Sequence, residues 1–389
     1  MQYRQRAWAE ISLDALSHNV QSIRQALADT TAYCGVVKAD AYGHGEEFIC
    51  RKLYDIGVRF FAVSSFEEAV RVRKWCPEAE ILILGYTSPE CAPMLAEQNI
   101  LQAVVSSEYG RMLSDFASPG RPVRCHVKLD TGMGRIGIPA RDTQACLAEM
   151  ETILSRGGLQ IEGIFTHFAV ADEEDADNTA YTDAQEQALF AVDAALRERG
   201  IELPHVHCMN SAAICYRNQP KSTLARAGII MYGLKPNAAL HMPLDLKQVL
   251  SLRSRISHIK TAEAGTCISY GRTYRTEKAQ RIATVTIGYA DGYSRLLSGK
   301  GEVLVCGVRC PVVGRICMDQ MMIDIGNVPE VQVGTMVTLI GRDGEDCITA
   351  DEVAAAYGTI GYEVVCGISK RVPRIFMDEG KVIHEDSLV

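Results

Sequence analysis

The chain has 389 residues, of which 47% are hydrophobic and 23% are charged, and its formal net charge at pH 7 is -8. This length predicts two domains, or one barrel with a substantial appendage, and the composition is that of a globular protein. The acidic balance and the lack of a Lys/Arg cluster argue against a nucleic-acid partner.

The fourteen cysteines form no CxxC pair, and most have apolar neighbours, which is typical of buried free thiols. The beginning of the chain has no apolar signal segment, and the longest apolar strings, such as 81–84, are too short to cross a bilayer. We therefore expect a cytoplasmic protein without a membrane partner.

The first part of the chain alternates short apolar runs with segments of helical periodicity. Eight such runs occur, at 33–39, 59–65, 81–86, 101–107, 123–130, 163–170, 205–211 and 225–233. Eight strand-helix repeats in this length predict an α/β fold of the (β/α)8 TIM-barrel type, and an open doubly wound sheet is the alternative. The acidic stretch at 172–177 is predicted to be a solvated loop.

After Pro236 the pattern changes to Val/Ile/Thr-rich strands separated by glycine-containing turns, at 281–293, 301–326 and 333–345. This pattern predicts a C-terminal all-β domain. Pro, Asn and Ala interrupt both patterns at 236–246, so we place the boundary between a barrel domain, 1–244, and a β-domain, 245–389. The first ten or so residues are candidates to pair with the β-domain.

Polar residues at the ends of the predicted barrel strands are candidates for a site, because barrel active sites assemble there. They are Lys38, Asp40, Tyr42, Lys128, Asp130, Arg135, His167, Asn210, Ser211 and Arg226. Lys38 ends an apolar strand and precedes a glycine-containing loop. A desolvated lysine has a lowered pKa and becomes an amine nucleophile, although the lone residue fits better a lysine on the barrel rim that reaches solvent; only the surrounding string reverses that preference.

Nine short sequence motifs occur across both predicted domains. They are VVKADAYGHG, VKLDTGMGRIG, FTHFA, NSAA, ARAGIIMYGL, ISYGRTY, IGYADGYSR, VVGRICMDQ and TIGYEVVC. Together and in this order they resemble the alanine racemase family of pyridoxal-phosphate (PLP) enzymes, and the match covers essentially the whole chain. The resemblance implies a PLP-bearing barrel, a β-domain and a head-to-tail homodimer whose two sites each use residues of the partner.

The resemblance assigns the two catalytic bases. Lys38 is similar to the lysine that holds PLP through its ε-amine and exchanges a proton on one face of the substrate, and Tyr270 to the base on the opposite face. Racemisation needs two bases, because reprotonation from the same face regenerates the starting enantiomer. Tyrosine has an ordinary pKa near 10, so its surroundings must stabilise the phenolate. His167 resembles the histidine that contacts this tyrosine.

The remaining cofactor contacts are also implied by the resemblance. Arg226 is similar to the arginine that faces the pyridine nitrogen; it has only donors, so it cannot protonate that nitrogen as an acid would. The expected phosphate contacts are Tyr42, Ser211, the backbone of Gly228 and Ile229, and Tyr362. In the family the residue at Arg135 contacts both the cofactor and the substrate carboxylate, and the lysine at Lys128 is often carbamylated and orients that arginine.

The β-domain is expected to supply residues to the partner's site. Met318 resembles the residue whose backbone N–H binds the substrate carboxylate, and Tyr289, Cys317 and Asp319 resemble residues that line the site and its entrance. Two positions differ from the family pattern near the phosphate site, Gly361 in place of Asn and Met209 in place of Ser. His205 and His207 share a strand face, but no third ligand is spaced near them, so we predict no metal site.

The sequence therefore predicts a PLP-dependent racemase that interconverts L- and D-alanine and supplies D-alanine for peptidoglycan. A serine or broad-specificity racemase of the same family is the alternative. The serine enzymes have a smaller residue at the position of Tyr362, so this tyrosine favours alanine as the substrate. The related decarboxylases have Glu at the position of Arg226 and lack the ISYGRTY tyrosine. A single-barrel PLP carrier would not explain the residues beyond the barrel.

Overall fold

The computed structural model of the chain describes residues 6–217 and 221–386. Strands of the first part are β1 (Ala7–Ser12), β2 (Ala32–Val36), β3 (Phe60–Val63), β4 (Glu80–Ile83), β5 (Leu101–Val104), β6 (Val123–Asp130), β7 (Ile138–Pro139), β8 (Leu159–Phe165), β9 (His205–His207) and β10 (Leu224–Ala227). Its helices are α1 (Leu13–Ala26), α2 (Lys38–Gly43), α3 (Glu46–Asp55), α4 (Phe66–Trp75), α5 (Ala92–Glu97), α6 (Ser107–Phe116), α7 (Thr143–Leu154), α8 (Ala176–Glu198) and α9 (Ser211–Tyr216).

Eight of these strands form one parallel sheet, in the order β10-β2-β3-β4-β5-β6-β8-β9. A parallel bridge between Met209 and Ala225 joins the two ends of this sheet and closes it into a barrel. Each of the eight apolar runs found in the sequence contributes one barrel strand, in chain order, so the predicted (β/α)8 fold is confirmed.

The third strand and the helix after it show why the sequence folds this way. All four residues of β3 are buried, as expected of a parallel strand that is covered on both faces. Ser65 then begins α4, because its hydroxyl accepts a 3.3 Å hydrogen bond from the Glu68 N–H. Ala69 and Val72 bury the inner face of this helix, and its charged residues face outward.

The second part of the chain is built mainly of strands. They are β11 (Leu250–Ala262), β12 (Cys267–Ile268), β13 (Tyr274–Arg275), β14 (Gln280–Val285), β15 (Glu302–Val305), β16 (Val308–Val313), β17 (Met321–Asp324), β18 (Met336–Asp343), β19 (Asp346–Ile348), β20 (Arg374–Asp378) and β21 (Lys381–Glu385). Two short helices, α10 (Ala350–Tyr357) and α11 (Gly361–Cys366), interrupt the strands. The β-rich character is as predicted, and these helices are an addition that the strand pattern did not indicate.

The chain begins in this second domain. β1 pairs antiparallel with β11 and parallel with β20, inside a ten-stranded sheet. The chain then enters the barrel through α1. It therefore passes between the two domains twice, once after β1 and once after β10. In the described part of the chain, no helix combines the length and the apolar character needed to span a bilayer.

Candidate active site

A cavity of about 460 Å³ opens at the carboxyl ends of the barrel strands. Eleven of the residues predicted from sequence line it together: Lys38, Tyr42, Lys128, Arg135, His167, Asn210, Ser211, Arg226, Gly228, Ile229 and Tyr362. Ten come from the barrel, and Tyr362 comes from α11 of the β-domain. Eight of these are polar residues at strand ends, whereas Gly228, Ile229 and Tyr362 were expected only from the family resemblance; the strand-end candidates Asp40 and Asp130 do not line the cavity.

The cavity has an excess of positive charge. Lys38, Lys128, Arg135 and Arg226 all line it. Burial lowers the pKa of the Lys38 amine, and the neighbouring Arg135 lowers it further. Burial, with Arg226 next in importance, lowers the pKa of Lys128 to about 7. Four cationic side chains around one cavity suit an anionic ligand, and the two amines lose protons more readily than ordinary lysines.

Arg226 is fixed by three hydrogen bonds in the barrel interior. Its guanidinium donates to Nδ1 of His207 at 2.8 Å, to the Thr166 carbonyl at 2.8 Å and to the Cys208 carbonyl at 3.3 Å. Burial lowers the pKa of Arg226 to about 10, so the group stays charged at neutral pH. The plane of the guanidinium is therefore set by the protein.

The same contact determines the tautomer of two histidines. Because Arg226 has only donors, His207 must accept at Nδ1 and carry its proton on Nε2. That nitrogen lies 2.9 Å from Nδ1 of His126, which therefore accepts in turn. Burial lowers the pKa of both imidazoles well below the usual value. His207, considered in the sequence only as a metal ligand, thus supports Arg226.

His167 lines the cavity beside the cations. Burial lowers its pKa well below the usual value, and Arg226, Arg135, Lys128 and Lys38 add to the effect in that order. The imidazole is therefore neutral at physiological pH.

The part of the cavity wall at Gly228 is a cradle with little room above its backbone. A methyl group at Gly228 would lie 2.8 Å from the Tyr42 hydroxyl and 3.4 Å from the Ser211 hydroxyl. Ser211 accepts a 3.0 Å hydrogen bond from the Gly228 N–H. Two hydroxyl groups therefore lie beside this glycine, and the ring of Tyr362 lies 6.2 Å from that of Tyr42. Such donors suit a phosphate group.

Some residues of the cavity were missed in the sequence. Phe165 stacks on the His207 ring at 4.9 Å, and the Lys128 ammonium lies 5.6 Å from its centre. The only signal for Phe165 is its place at the end of the sixth barrel strand, before His167. Asp172 also lines the cavity, although the acidic stretch that it begins was predicted to be a solvated loop; most of that stretch is exposed.

The other predicted site residues lie elsewhere. Tyr270, Tyr289, Cys317, Met318 and Asp319 do not line this cavity and gather on one surface of the β-domain. The side chain of Tyr270 is 68% exposed and that of Met318 is 52% exposed.

Hydrogen bonds hold this surface together. Ser269, which precedes Tyr270, places its hydroxyl 3.7 Å from the Cys317 thiol, and the Tyr289 N–H donates to the Cys317 carbonyl at 3.0 Å. Asp319 accepts a 2.8 Å hydrogen bond from Arg371. The tyrosine and the 317–319 segment therefore face solvent as one unit, which we call the β-domain face.

The two departures from the family pattern have structural counterparts. Met209 is buried and forms the bridge that closes the barrel, and its carbonyl accepts from the Arg226 N–H at 3.0 Å. Gly361 begins α11, and the carboxylate of Asp351 packs directly over it, where a larger residue would collide.

The fold and the cavity define the class of protein, a barrel enzyme with an anion-binding, lysine-bearing site. Family models described as "Alanine racemase, N-terminal domain" and "Alanine racemase, C-terminal domain" match residues 11–236 and 249–376. The alanine racemase of Desulfovibrio desulfuricans is 43% identical over 95% of this chain and 98% of its own length. Alanine racemase 1 of Clostridium acetobutylicum is 42% identical over 97% and 96%.

Solved structures agree with the sequence comparison. The alanine racemase from Bacillus anthracis with bound L-Ala-P matches with a TM-score of 0.91 at 38% identity, covering 99% of this chain and 98% of that chain. An alanine racemase of Clostridium difficile in complex with cycloserine matches with a TM-score of 0.88 at 36% identity over 99% of both. The chain belongs to the alanine racemase family, whose members are amino-acid isomerases.

Proposed function

We propose that this chain is a PLP-dependent racemase that interconverts L- and D-alanine with two bases and so supplies D-alanine for peptidoglycan. The observation that carries the proposal is the gathering of Lys38, Arg226 and the Gly228 cradle around one cationic cavity. Family membership supports the same reaction.

The residues of the cavity fit PLP. The cradle at Gly228 has little room for a side chain and lies beside the hydroxyls of Tyr42 and Ser211, which suits the phosphate. The donors to it would be Tyr42, Ser211, the Ile229 N–H and Tyr362, all of which line the cavity. Arg226 would face the pyridine nitrogen, and Lys38 would provide the amine that holds the aldehyde carbon. When bound, PLP supplies an electron-withdrawing ring that acidifies the α-hydrogen of the amino acid.

Lys38 and Tyr270 then move the proton. The Lys38 amine, whose pKa is lowered by burial, removes or returns the α-hydrogen on one face. Tyr270 does so on the opposite face, so each turnover inverts the configuration. We expect His167, whose imidazole is neutral because burial lowers its pKa, to contact this tyrosine.

A second copy of the chain completes the site. Tyr270 and Met318 are exposed on the β-domain face, outside the cavity of their own chain. We propose a head-to-tail homodimer in which each β-domain face covers the partner's barrel. Burying the exposed Tyr289 and Met318 of each face also gives the association a hydrophobic driving force.

The substrate carboxylate is held from both chains. Arg135 of the barrel and the Met318 N–H of the partner's β-domain face bind it, with Tyr289, Cys317 and Asp319 at the entrance. Unmodified Lys128 would repel Arg135. Its pKa of about 7 leaves a neutral amine that can add carbon dioxide, and the resulting carbamate would attract and orient the arginine.

Tyr362 supports alanine over serine as the substrate. Its side chain lines the cavity beside Tyr42 and narrows it toward a methyl group, which disfavours the serine alternative. The related decarboxylases have Glu at the position of Arg226, so this arginine argues against decarboxylation as the activity of the chain.

We also propose a cytoplasmic location and a domain boundary at 244/245. All fourteen cysteines are free thiols, as is usual in a reducing compartment.

Side-by-side turnover of L-alanine and L-serine tests the proposal. Purified protein with added PLP is assayed by chiral separation of both products. We expect D-alanine to form much faster than D-serine. Faster serine turnover would favour the serine racemase, and turnover of neither would contradict the proposal.

A further inference from the structure

The segment after Lys38 has an unusual backbone. Four consecutive non-glycine residues, Ala39 to Tyr42, have φ values of 54°, 54°, 52° and 54°. The left-handed region is unfavourable for residues with a Cβ atom, and it is rarely occupied more than once in succession. Such strain persists only where surrounding contacts enforce it.

His44 makes the central contact to this left-handed turn. Its Nδ1 lies 3.1 Å from the Ala41 carbonyl and 2.9 Å from the Tyr42 carbonyl. Because both partners are acceptors, Nδ1 must carry the proton. The ring is fully buried and packs against Tyr232, with the ring centroids 4.5 Å apart and the planes tilted by 33°.

Other side chains anchor the ends of the turn. Glu68 accepts a 2.7 Å hydrogen bond from the Ala39 N–H, and Arg374 donates to the Gly43 carbonyl at 3.0 Å. These contacts hold the two ends, whereas His44 is the only described residue whose side chain binds two carbonyls within the turn. Burial lowers the pKa of His44 to about 4, with Arg374 acting in the same direction, so the ring stays neutral and keeps one donor.

We propose that His44 is a positioning residue, a neutral clamp that holds the left-handed turn and thereby aims Lys38 and Tyr42 at the cofactor. Lys38 lies immediately before the turn, and Tyr42 ends it beside Gly228. Without the clamp the backbone relaxes toward right-handed geometry, which moves both side chains away from the cavity. This assignment rests on the proposed function for the identity of the ligand.

Three substitutions separate clamping from packing. His44→Asn keeps a donor near the position of Nδ1, His44→Gln moves the donor to a position near Nε2, and His44→Leu removes it. His384→Leu is the matched control, because His384 also packs against an aromatic ring, that of Phe48 at 4.5 Å, but is half exposed and outside the turn.

Two measurements are made on each protein. The PLP dissociation constant is obtained by titrating the cofactor-free protein. Amide hydrogen exchange is followed without cofactor at Ala41 and Gly45, whose N–H groups donate to the carbonyls of Val37 and Asp40. We expect His44→Gln and His44→Leu to weaken PLP binding about tenfold or more and to speed this exchange, because two buried carbonyls lose their donor. His44→Asn and His384→Leu should remain within about threefold of the parent chain.

Unchanged PLP affinity in His44→Gln, or equal losses in the Asn and Gln variants, would overturn the assignment. If the Leu variant does not fold, the Asn and Gln pair decides the question. If the parent chain binds no PLP, the proposed function fails, and the exchange rates still decide whether His44 clamps the turn: unchanged exchange in the Gln variant overturns the clamp.

Discussion

Tyr270 lies outside the cavity that Lys38 lines in the same chain, and its side chain is 68% exposed on the β-domain face. The two proposed bases therefore cannot act on one substrate within a single copy. A barrel from one copy and a β-domain face from another can bring them to opposite sides of the same carbon.

Removing the Tyr270 hydroxyl should abolish most turnover without loss of the cofactor. In Tyr270→Phe we expect racemisation of alanine to fall by about 100-fold to 10,000-fold, the usual contribution of a positioned acid or base. PLP affinity should change little, because Tyr270 does not line the cavity of its own chain. Chiral product analysis and a PLP titration measure the two effects.

Tyr274→Phe is the matched control for this change. Tyr274 lies on the same hairpin, and its hydroxyl donates to Gln280 at 3.0 Å. It should keep nearly full activity. Full activity in the Tyr270 variant would contradict the two-base assignment.

Filling the cradle should weaken the phosphate contact. In Gly228→Ala the added methyl group would lie 2.8 Å from the Tyr42 hydroxyl, so that side chain must move. We expect PLP affinity to fall about tenfold or more, as overpacking of a close contact predicts. Gly157→Ala, where the methyl group meets nothing within 4 Å, is the control. Equal PLP affinities in the two variants would place the phosphate elsewhere.

Lys128 should react with carbon dioxide near neutral pH. Its pKa of about 7 lies below the ordinary 10.5, so the neutral amine is abundant above pH 7 and declines as the pH falls through that value. With carbon-13-labelled bicarbonate, we expect a carbamate NMR signal that grows between about pH 6 and pH 8. Lys128→Met should lack it.

The same pKa shift has a consequence for stability. Between about pH 7 and pH 10.5 the unfolded chain holds more protons at this position than the folded chain, so the free energy of unfolding should rise with pH there. Lys128→Met should lose this part of the pH dependence of the free energy of unfolding.

The Met variant also controls the carbamate experiment. A carbamate NMR signal that persists in it would assign the modification to another lysine.

Tyr362 should determine the preference for alanine. In Tyr362→Ala the cavity widens beside Tyr42, and we expect the ratio of serine to alanine turnover, as kcat/KM, to rise about tenfold. Tyr357→Ala, on the outer part of the neighbouring helix α10, should leave the ratio unchanged. An unchanged ratio in the Tyr362 variant would mean that another residue excludes serine.

The barrel and most of its site could be predicted from sequence, because both depend on local patterns. Each parallel strand is an apolar run, and each functional residue follows such a run, as Lys38 follows 33–37. The family resemblance added Tyr270 and the 317–319 segment, which no strand-end argument could have selected.

Other features depend on long-range contacts and left no signal in the sequence. The left-handed turn contains no glycine between Ala39 and Tyr42, so nothing local indicates it; contacts with His44, Glu68 and Arg374 impose it. Likewise, the hydrogen bond between His126 and His207 depends on the register of β6 and β9, which are separated by β8 in the barrel.

Mixing two inactive variants tests the shared site most directly. Lys38→Ala and Tyr270→Phe proteins are unfolded together, refolded as a mixture with PLP, and assayed for D-alanine formation. In a head-to-tail dimer half of the molecules are hybrids, and each hybrid has one site with both bases intact, so we predict recovery of about a quarter of the parent activity. If the mixture stays as inactive as its components, Lys38 and Tyr270 do not meet across two copies, and the account of the site is wrong.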